Sequence, residues 1–265
     1  GDEDQLPAFT WRVRKNPAKC AVINYITHHD GFTLMDLVSY EERHNEANGE
    51  GGQDGPAYNF SWNCGVEGPS RKKKIQELRL QQMKNAFLLL LFSQGTPMIL
   101  AGDEFGNSQR GNNNPYCQDN ETSWLEWNRL KKQAELFEFV KAAIAFRKTH
   151  PLLHQAKELQ GTSGSVLGYP DVSCHGQQAW YGNFETTSRH FGMMYCGEEG
   201  EYLYIAYNLH WKEQSFALPK LPEGLSWQLV FDTEDGASPE KEIKWIDQKS
   251  FEAPPRNILV LEGRK

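Results

Sequence analysis

Two short apolar runs in this 265-residue sequence each end in side chains equipped for chemistry. Ala21-Val22-Ile23-Asn24-Tyr25-Ile26 leads into His28-His29-Asp30, and Pro97-Met98-Ile99-Leu100-Ala101 leads into Gly102-Asp103-Glu104. Apolar, β-branched runs of this length read as buried parallel strands, and the polar residues at their carboxyl ends mark where a site opens. Imidazole beside carboxylate suits metal ligation or electrostatic work on a reacting centre. Adjacent strand residues point to opposite faces, and no partner cluster of ligands accompanies the three, so neither a metal nor a cofactor is expected. The same alternation turns His28 away from His29, into packing. Asp103 and Glu104 read first as residues that order their loop by bonding backbone groups, with a catalytic role as the rival.

The elements that must hold these residues alternate. Thr33 caps a segment over Leu34–Tyr40, with Asp36 three residues on, close to a capping box. Residues 41–70 hold eight Gly and Pro and no periodicity, which reads as a long functional loop. Ser70 then caps a helix over about 70–93, where Ile75, Leu78, Met83, Phe87, Leu90 and Leu91 keep helical spacing. A second helix covers about 130–149, with Leu136, Phe139, Val140, Ala143, Ile144 and Phe146 as its stripe. Strand, loop, helix, strand, loop, helix is a βαβα series and implies a parallel sheet or barrel. From His150-Pro151 the texture changes to short runs at Gln178–Tyr181, Gly192–Tyr195, Tyr202–Asn208, Gln214–Leu218, Trp227–Phe231 and Asn257–Leu261. These predict an antiparallel β-sandwich. The fold class is therefore α/β followed by all-β, with domains at 1–150 and 151–265.

Composition excludes several partners. Lys plus Arg is 28 against 35 for Asp plus Glu, a net charge of −7, which argues against nucleic acid. The basic run Arg71–Lys74 reads as a solvated face. Eight Trp, 10 Tyr and 14 Phe predict a packed core. No apolar run approaches the ~20 residues of a membrane span. The five Cys are odd in number and share no CxxC spacing, so free thiols of a reducing, cytoplasmic compartment are expected. The opening Gly-Asp-Glu-Asp-Gln-Leu-Pro has no start Met and no signal-peptide pattern, so it says nothing of a parent protein's targeting.

Five stretches, in order over about 105 residues, carry a family resemblance. They are Asn24–Leu34 (NYITHHDGFTL), His44–Glu50 (HNEANGE), Asp54–Gly65 (DGPAYNFSWNCG), Gly95–Gly106 (GTPMILAGDEFG) and Gly111–Asn120 (GNNNPYCQDN), with Trp124 and Trp127 beyond. The chain resembles the α-amylase superfamily of glycoside hydrolases, in its glycogen-debranching and isoamylase branch. The resemblance implies an eight-stranded (β/α) TIM barrel, with 21–30 as its seventh strand and 97–104 as its eighth, followed by a small C-terminal sandwich. Active sites of such barrels lie at the carboxyl ends of the strands.

The resemblance further implies hydrolysis of α-1,6 branch linkages in glycogen or amylopectin by a retaining route. That route needs a nucleophilic carboxylate and a general acid about 5 Å apart. The family carries these two on strands four and five. Only 20 residues precede Ala21, so neither strand fits, and the chain alone is expected to be inactive. By the resemblance Asp30 is the third carboxylate, the transition-state stabiliser, and His29 donates to a sugar hydroxyl. His28 departs from the family, where a small residue is common. Asn112, Asn113, Asn114 and Tyr116 have two readings. Asn113 and Tyr116 bind sugar, offering amide and ring face, or the asparagines simply take left-handed loop conformations. Trp62, Trp124 and Trp127 likewise either stack on glucose or pack. The expected partner is a branched α-glucan, without nucleic acid or membrane. Two barrel strands also expose unpaired edges, which invites self-association or pairing with an N-terminal part of the parent. Rival functions are a non-catalytic glucan-binding fragment and a pullulanase or trehalose-forming relative.

Overall fold

The structure is a computed structural model that describes residues 3–162, 168–236, 239 and 246–265. In chain order its elements are α1 (Leu6–Arg14), β1 (Ile23–Asn24), α2 (Leu34–Leu37), α3 (Lys73–Leu91), β2 (Thr96–Pro97), α4 (Arg129–Lys132) and α5 (Ala134–Thr149). The strands β3 (Val172–His175), β4 (His190–Cys196), β5 (Tyr202–Asn208), β6 (Gln214–Ala217), β7 (Ser226–Asp232), β8 (Ser250–Ala253) and β9 (Asn257–Arg264) follow. The chain groups into two compact units. One is Gly1–Ile23, Leu91–Thr96 and Ala142–Lys265, and the other is Asn24–Leu90 and Pro97–Lys141.

The first unit is built on a five-stranded antiparallel sheet in the order β3-β4-β5-β9-β7, with β6 and β8 as a separate antiparallel pair. Side chains alternate along a strand, so Met194, Cys196, Tyr202, Tyr204, Ala206, Leu259 and Leu261 share one face. That face packs with Phe216 of β6 and Ala253 of β8, which is the predicted sandwich. The opposite face is buried too. Phe9 of α1 lies edge-on to Phe191 and Tyr207, and Phe146 of α5 lies edge-on to Phe231. Burial on both faces is why every residue of β4 and β5 is buried.

Four predicted strands are longer or shorter by a few residues than expected, and Tyr202–Asn208 matches β5. Gln178–Tyr181 is instead a single bridge closing on itself, because Trp180 takes a left-handed φ of 72° and reverses the chain. In the first unit Arg147 is buried among carbonyls. Its guanidinium donates to Ser93 at 2.8 Å, Leu153 at 2.7 Å, Gly95 at 2.6 Å and to Leu91, the last residue of α3. One fork of donors thus satisfies the open end of a helix and fixes the turn into β2.

The predicted helices hold with shifted ends. Ser70 accepts from the Lys72 N–H in a turn before α3 rather than capping it. The expected helix over 130–149 breaks at Gln133 into α4 and α5. Thr33 does cap α2, accepting from the Asp36 N–H at 3.2 Å. The two predicted strands shrink to two residues each. Thr96 N–H bonds Val22 C=O and Met98 N–H bonds Asn24 C=O, both at 2.8 Å, and the equal step on both strands makes the pair parallel. These strands were expected to be buried, yet Ile23, Tyr25, Ile26 and Met98 are exposed. With only each other as partner among the described residues, β1 and β2 leave uncovered the side chains that a larger sheet would enclose.

Candidate functional site

β1 ends at Asn24, so strand alternation does not reach the histidines. His28 follows, and residues 29–31 form a bend. The expectation that His28 turns away from His29 is corrected by this: their rings meet edge-on at 5.8 Å, and Tyr25 lies against His28 at 5.1 Å. His28 Nδ1 accepts from the Asp30 N–H at 3.2 Å, which shapes the turn. His29 and Asp30 are both exposed.

The bend is held from the turn that follows β2. Asp103 is buried and accepts from the Thr27 hydroxyl and, at 2.8 Å, from the Leu34 N–H. It therefore grips the chain on both sides of His29 and Asp30. Glu104 accepts from the Gly102 N–H at 3.0 Å and closes its own turn. Both acids order backbone and neighbouring loops, the first of the two roles expected for them.

Burial pushes the Asp103 carboxyl up to about 7 from an ordinary 3.8, against the opposing pull of the Thr27 and Leu34 bonds. The folded state then holds the proton more tightly than the unfolded state. Stability carried by this group is full below about pH 3.8 and is lost as pH rises through about 7. Asp103→Asn keeps an acceptor for Leu34 without the ionisation. Its unfolding free energy is expected to lose most of the fall between pH 5 and 8 seen with Asp103. Equal slopes for the two proteins in denaturant titrations would refute that assignment.

A second buried carboxylate ties α2 to the loop after β2. Asp36 accepts from Ser108 Oγ at 2.5 Å and from Gln109 N–H at 2.7 Å, and burial raises its pKa against those bonds. Further along, the predicted HNEANGE, DGPAYNFSWNCG and GNNNPYCQDN stretches interlock. Asn45 Nδ2 donates to Asn113 Oδ1 at 2.8 Å, and Asn45 Oδ1 accepts from the Asn113 N–H at 3.0 Å. Asn113 Nδ2 donates to Pro56 C=O at 2.9 Å and Asn59 Oδ1 at 2.6 Å. Asn48 and Asn112 exchange amide bonds, and Asp54 accepts from Asn48 at 2.7 Å and Asn114 at 2.9 Å. Those amides, Asn48 first, hold the Asp54 carboxyl below its usual range.

The network corrects one site expectation. Asn113 is fully buried and both ends of its amide are spent on loop partners, so it holds the loops together instead of facing a sugar. Tyr116, three residues on, is 68% exposed, and its hydroxyl reaches Glu50 Oε1 at 3.4 Å. Asn113 and Tyr116 thus share one loop cluster, and His29 and Asp30 share one bend. Among the described residues no hydrogen bond or ring contact joins one pair to the other. Sequence reasoning missed Thr27, Asn45 and Asp54. Thr27 sits one residue before the histidines, and the asparagine density of both loops was the available signal for the rest.

The family model for the isoamylase 1-3 C-terminal region matches residues 173–242. A glycogen operon protein GlgX homolog of Mycobacterium bovis is 38% identical over 261 residues, covering 91% of this chain and 36% of its own length. The glycogen debranching enzyme of Erwinia tasmaniensis is 51% identical over 146 residues, 55% of this chain and 22% of its own. The chain therefore spans about a third or less of the curated relatives it matches. Among solved structures, a product complex of the multi-modular glycogen-degrading pneumococcal virulence factor SpuA superposes with a TM-score of 0.69 at 16% identity, over 99% of this chain and 28% of that one. That likeness bears on the fold alone.

Proposed function

We propose that this chain is the C-terminal portion of an enzyme of the isoamylase and glycogen-debranching branch of the α-amylase superfamily, one that hydrolyses α-1,6 branch linkages in glycogen-type glucans. The observation that carries this reading is the bend after β1, where Asp103 clamps Thr27 and Leu34 and leaves His29 and Asp30 exposed between them. An exposed carboxylate on a fixed turn is suited to a cationic transition state. Glycoside cleavage develops oxocarbenium character, and a preorganised negative charge beside it lowers the barrier. His29 donates to a sugar hydroxyl next to the reacting ring, and Tyr116 offers a face to a further glucose. Asn113 acts as a positioning residue for that loop.

In this reading β1 and β2 are the seventh and eighth strands of a (β/α)8 barrel, residues 1–150 are the C-terminal portion of that barrel, and 151–265 form the C-terminal sandwich. The parallel pairing of β1 with β2 supports it, as do the exposed Ile23, Tyr25, Ile26 and Met98, which the remaining strands would cover. The retaining nucleophile and the general acid lie in protein outside these residues. Pairing with that part completes the site. The five free thiols favour a reducing, cytoplasmic setting. Among the described residues no helix is long and apolar enough to cross a membrane.

The test is a reducing-sugar assay on glycogen limit dextrin. This chain is expected to be silent alone and to give activity when mixed with the separately made N-terminal remainder of its parent. Turnover by the chain alone would show that a nucleophile and an acid are present here and would overturn the strand assignment.

A further inference from the structure

Trp124 and Trp127 are 57% and 66% exposed, and nothing in the packing of their unit requires two indoles in water. Each is nonetheless fixed. Trp124 Nε1–H donates to Asp119 Oδ1 at 3.1 Å, and Trp127 stacks on Phe105 with ring centres 5.3 Å apart and 28° between planes. A ring tethered at one edge or backed on one face gives up little freedom when its open face takes a ligand.

Both rings line a cavity of about 640 Å³. It shares Tyr40, Pro69, Ser108 and Arg129 with a neighbouring cavity of about 590 Å³, so the two form one trough, walled entirely by residues of the second unit. The charges beside the tryptophans are matched among themselves. Arg110 pairs with Glu121 at 3.5 Å, and Glu126 with Arg129 at 3.6 Å and Lys132 at 3.5 Å. Lys73 likewise pairs with Glu77 at 3.4 Å and Arg79 donates to the Asn63 and Val66 carbonyls, so the trough has a partner in the protein for each of its charged groups. It offers aromatic faces for the apolar side of a ring, and carboxylate and guanidinium edges for hydroxyls. That combination fits a neutral, polyhydroxylated chain whose rings repeat.

We propose that Trp124 and Trp127 form a stacking platform for successive glucose rings of a linear α-glucan lying in this trough. The proposal rests on the glucan reading above and adds a binding surface that uses none of His29, Asp30, Asn113 or Tyr116.

The test uses the 265-residue chain itself. Electrophoresis through gels containing glycogen is expected to retard it, and calorimetry with maltoheptaose is expected to show binding, with none for cellohexaose. Trp124→Ala should weaken maltoheptaose at least about tenfold, since it removes a stacking face and only a surface hydrogen bond. Trp127→Ala should do the same. Because it also uncovers Phe105, Trp127→Phe serves beside it and should recover most of the affinity. Trp211→Ala, which removes an exposed indole of the other unit, should change nothing. The proposal is overturned if the parent chain binds no maltoheptaose, if cellohexaose binds as well, or if the Trp124 and Trp127 variants bind like the parent. Binding by the chain, together with no hydrolysis by the assembled protein, would leave the platform standing and remove the debranching function.

Discussion

Asp30→Asn, introduced into this chain and assayed after mixing with the remainder of the parent, is expected to lower kcat for limit dextrin by about 10³-fold, which is about 4 kcal/mol at the transition state. KM should move little, because the charge matters when the sugar ring becomes cationic and much less while it is neutral. The substitution is close to isosteric. The structural bonds of the bend run through Asp103, Thr27, Leu34 and the Asp30 backbone N–H, and none needs the Asp30 carboxylate. The melting temperature should therefore hold. That split separates the two roles open to an acid at a strand end. If Asp30 were structural, the variant would melt early and the surviving folded fraction would turn over normally. A kcat within a few-fold of the parent's, in a protein that melts normally, would remove Asp30 from the chemistry.

What the amino-acid sequence made legible follows the range of the forces involved. Local signals held: Thr33 caps α2, and the apolar stripe after Ile75 is α3. So did patterns longer than a few residues, as in Tyr202–Asn208, which is β5. Expectations weakened where a partner far along the chain decides the outcome. β1 and β2 are two residues long because neither has a second neighbour to pair with among the described residues, whatever their composition. β4 and β5 are buried on both faces because Phe9 arrives from α1, remote in sequence, and α1 itself has no pattern that predicts a helix.

The site divides in the same way. His29 and Asp30 stood out by residue type and position. The clamp that presents them joins Thr27 and Leu34 to Asp103, about 70 residues away, and only the folded chain reveals it. Asn113 marks the limit of reasoning by residue type. Amides suit sugars, and they suit other amides equally well. The meeting of Asn45 with Asn113 across 68 residues settles which use is made of it here. An amide whose donors and acceptor are already engaged inside the protein gains nothing by turning to a ligand, since each bond broken leaves a buried group unpaired.

Gly55→Ala should show how much rests on that amide network. Gly55 has φ +75°, and a Cβ there would stand 2.4 Å from Asn113 Oδ1 and 2.9 Å from both Asn45 Nδ2 and Asn114 Cβ. The left-handed backbone alone costs alanine about 1 kcal/mol. The clash adds more, because its targets are the two amides that bond each other, and each buried polar group left unpaired costs about 1–3 kcal/mol. A total loss of about 3 kcal/mol is expected in the second unit. Gly51→Ala is the matched control, with φ +63° and no atom within 4 Å of the added carbon, so it carries the backbone cost only. The sensitive readout is hydrogen exchange at the Asn113 N–H, which donates to Asn45 Oδ1. Exchange there should quicken about 100-fold in Gly55→Ala and no more than about tenfold in Gly51→Ala, following the two free-energy costs. Loosening Asn113 also frees the loop that carries Tyr116, so glucan affinity at that loop should fall with protection. Equal exchange in the two variants would mean that the loops are held by something other than the asparagine pair, and Asn113 would lose its positioning role.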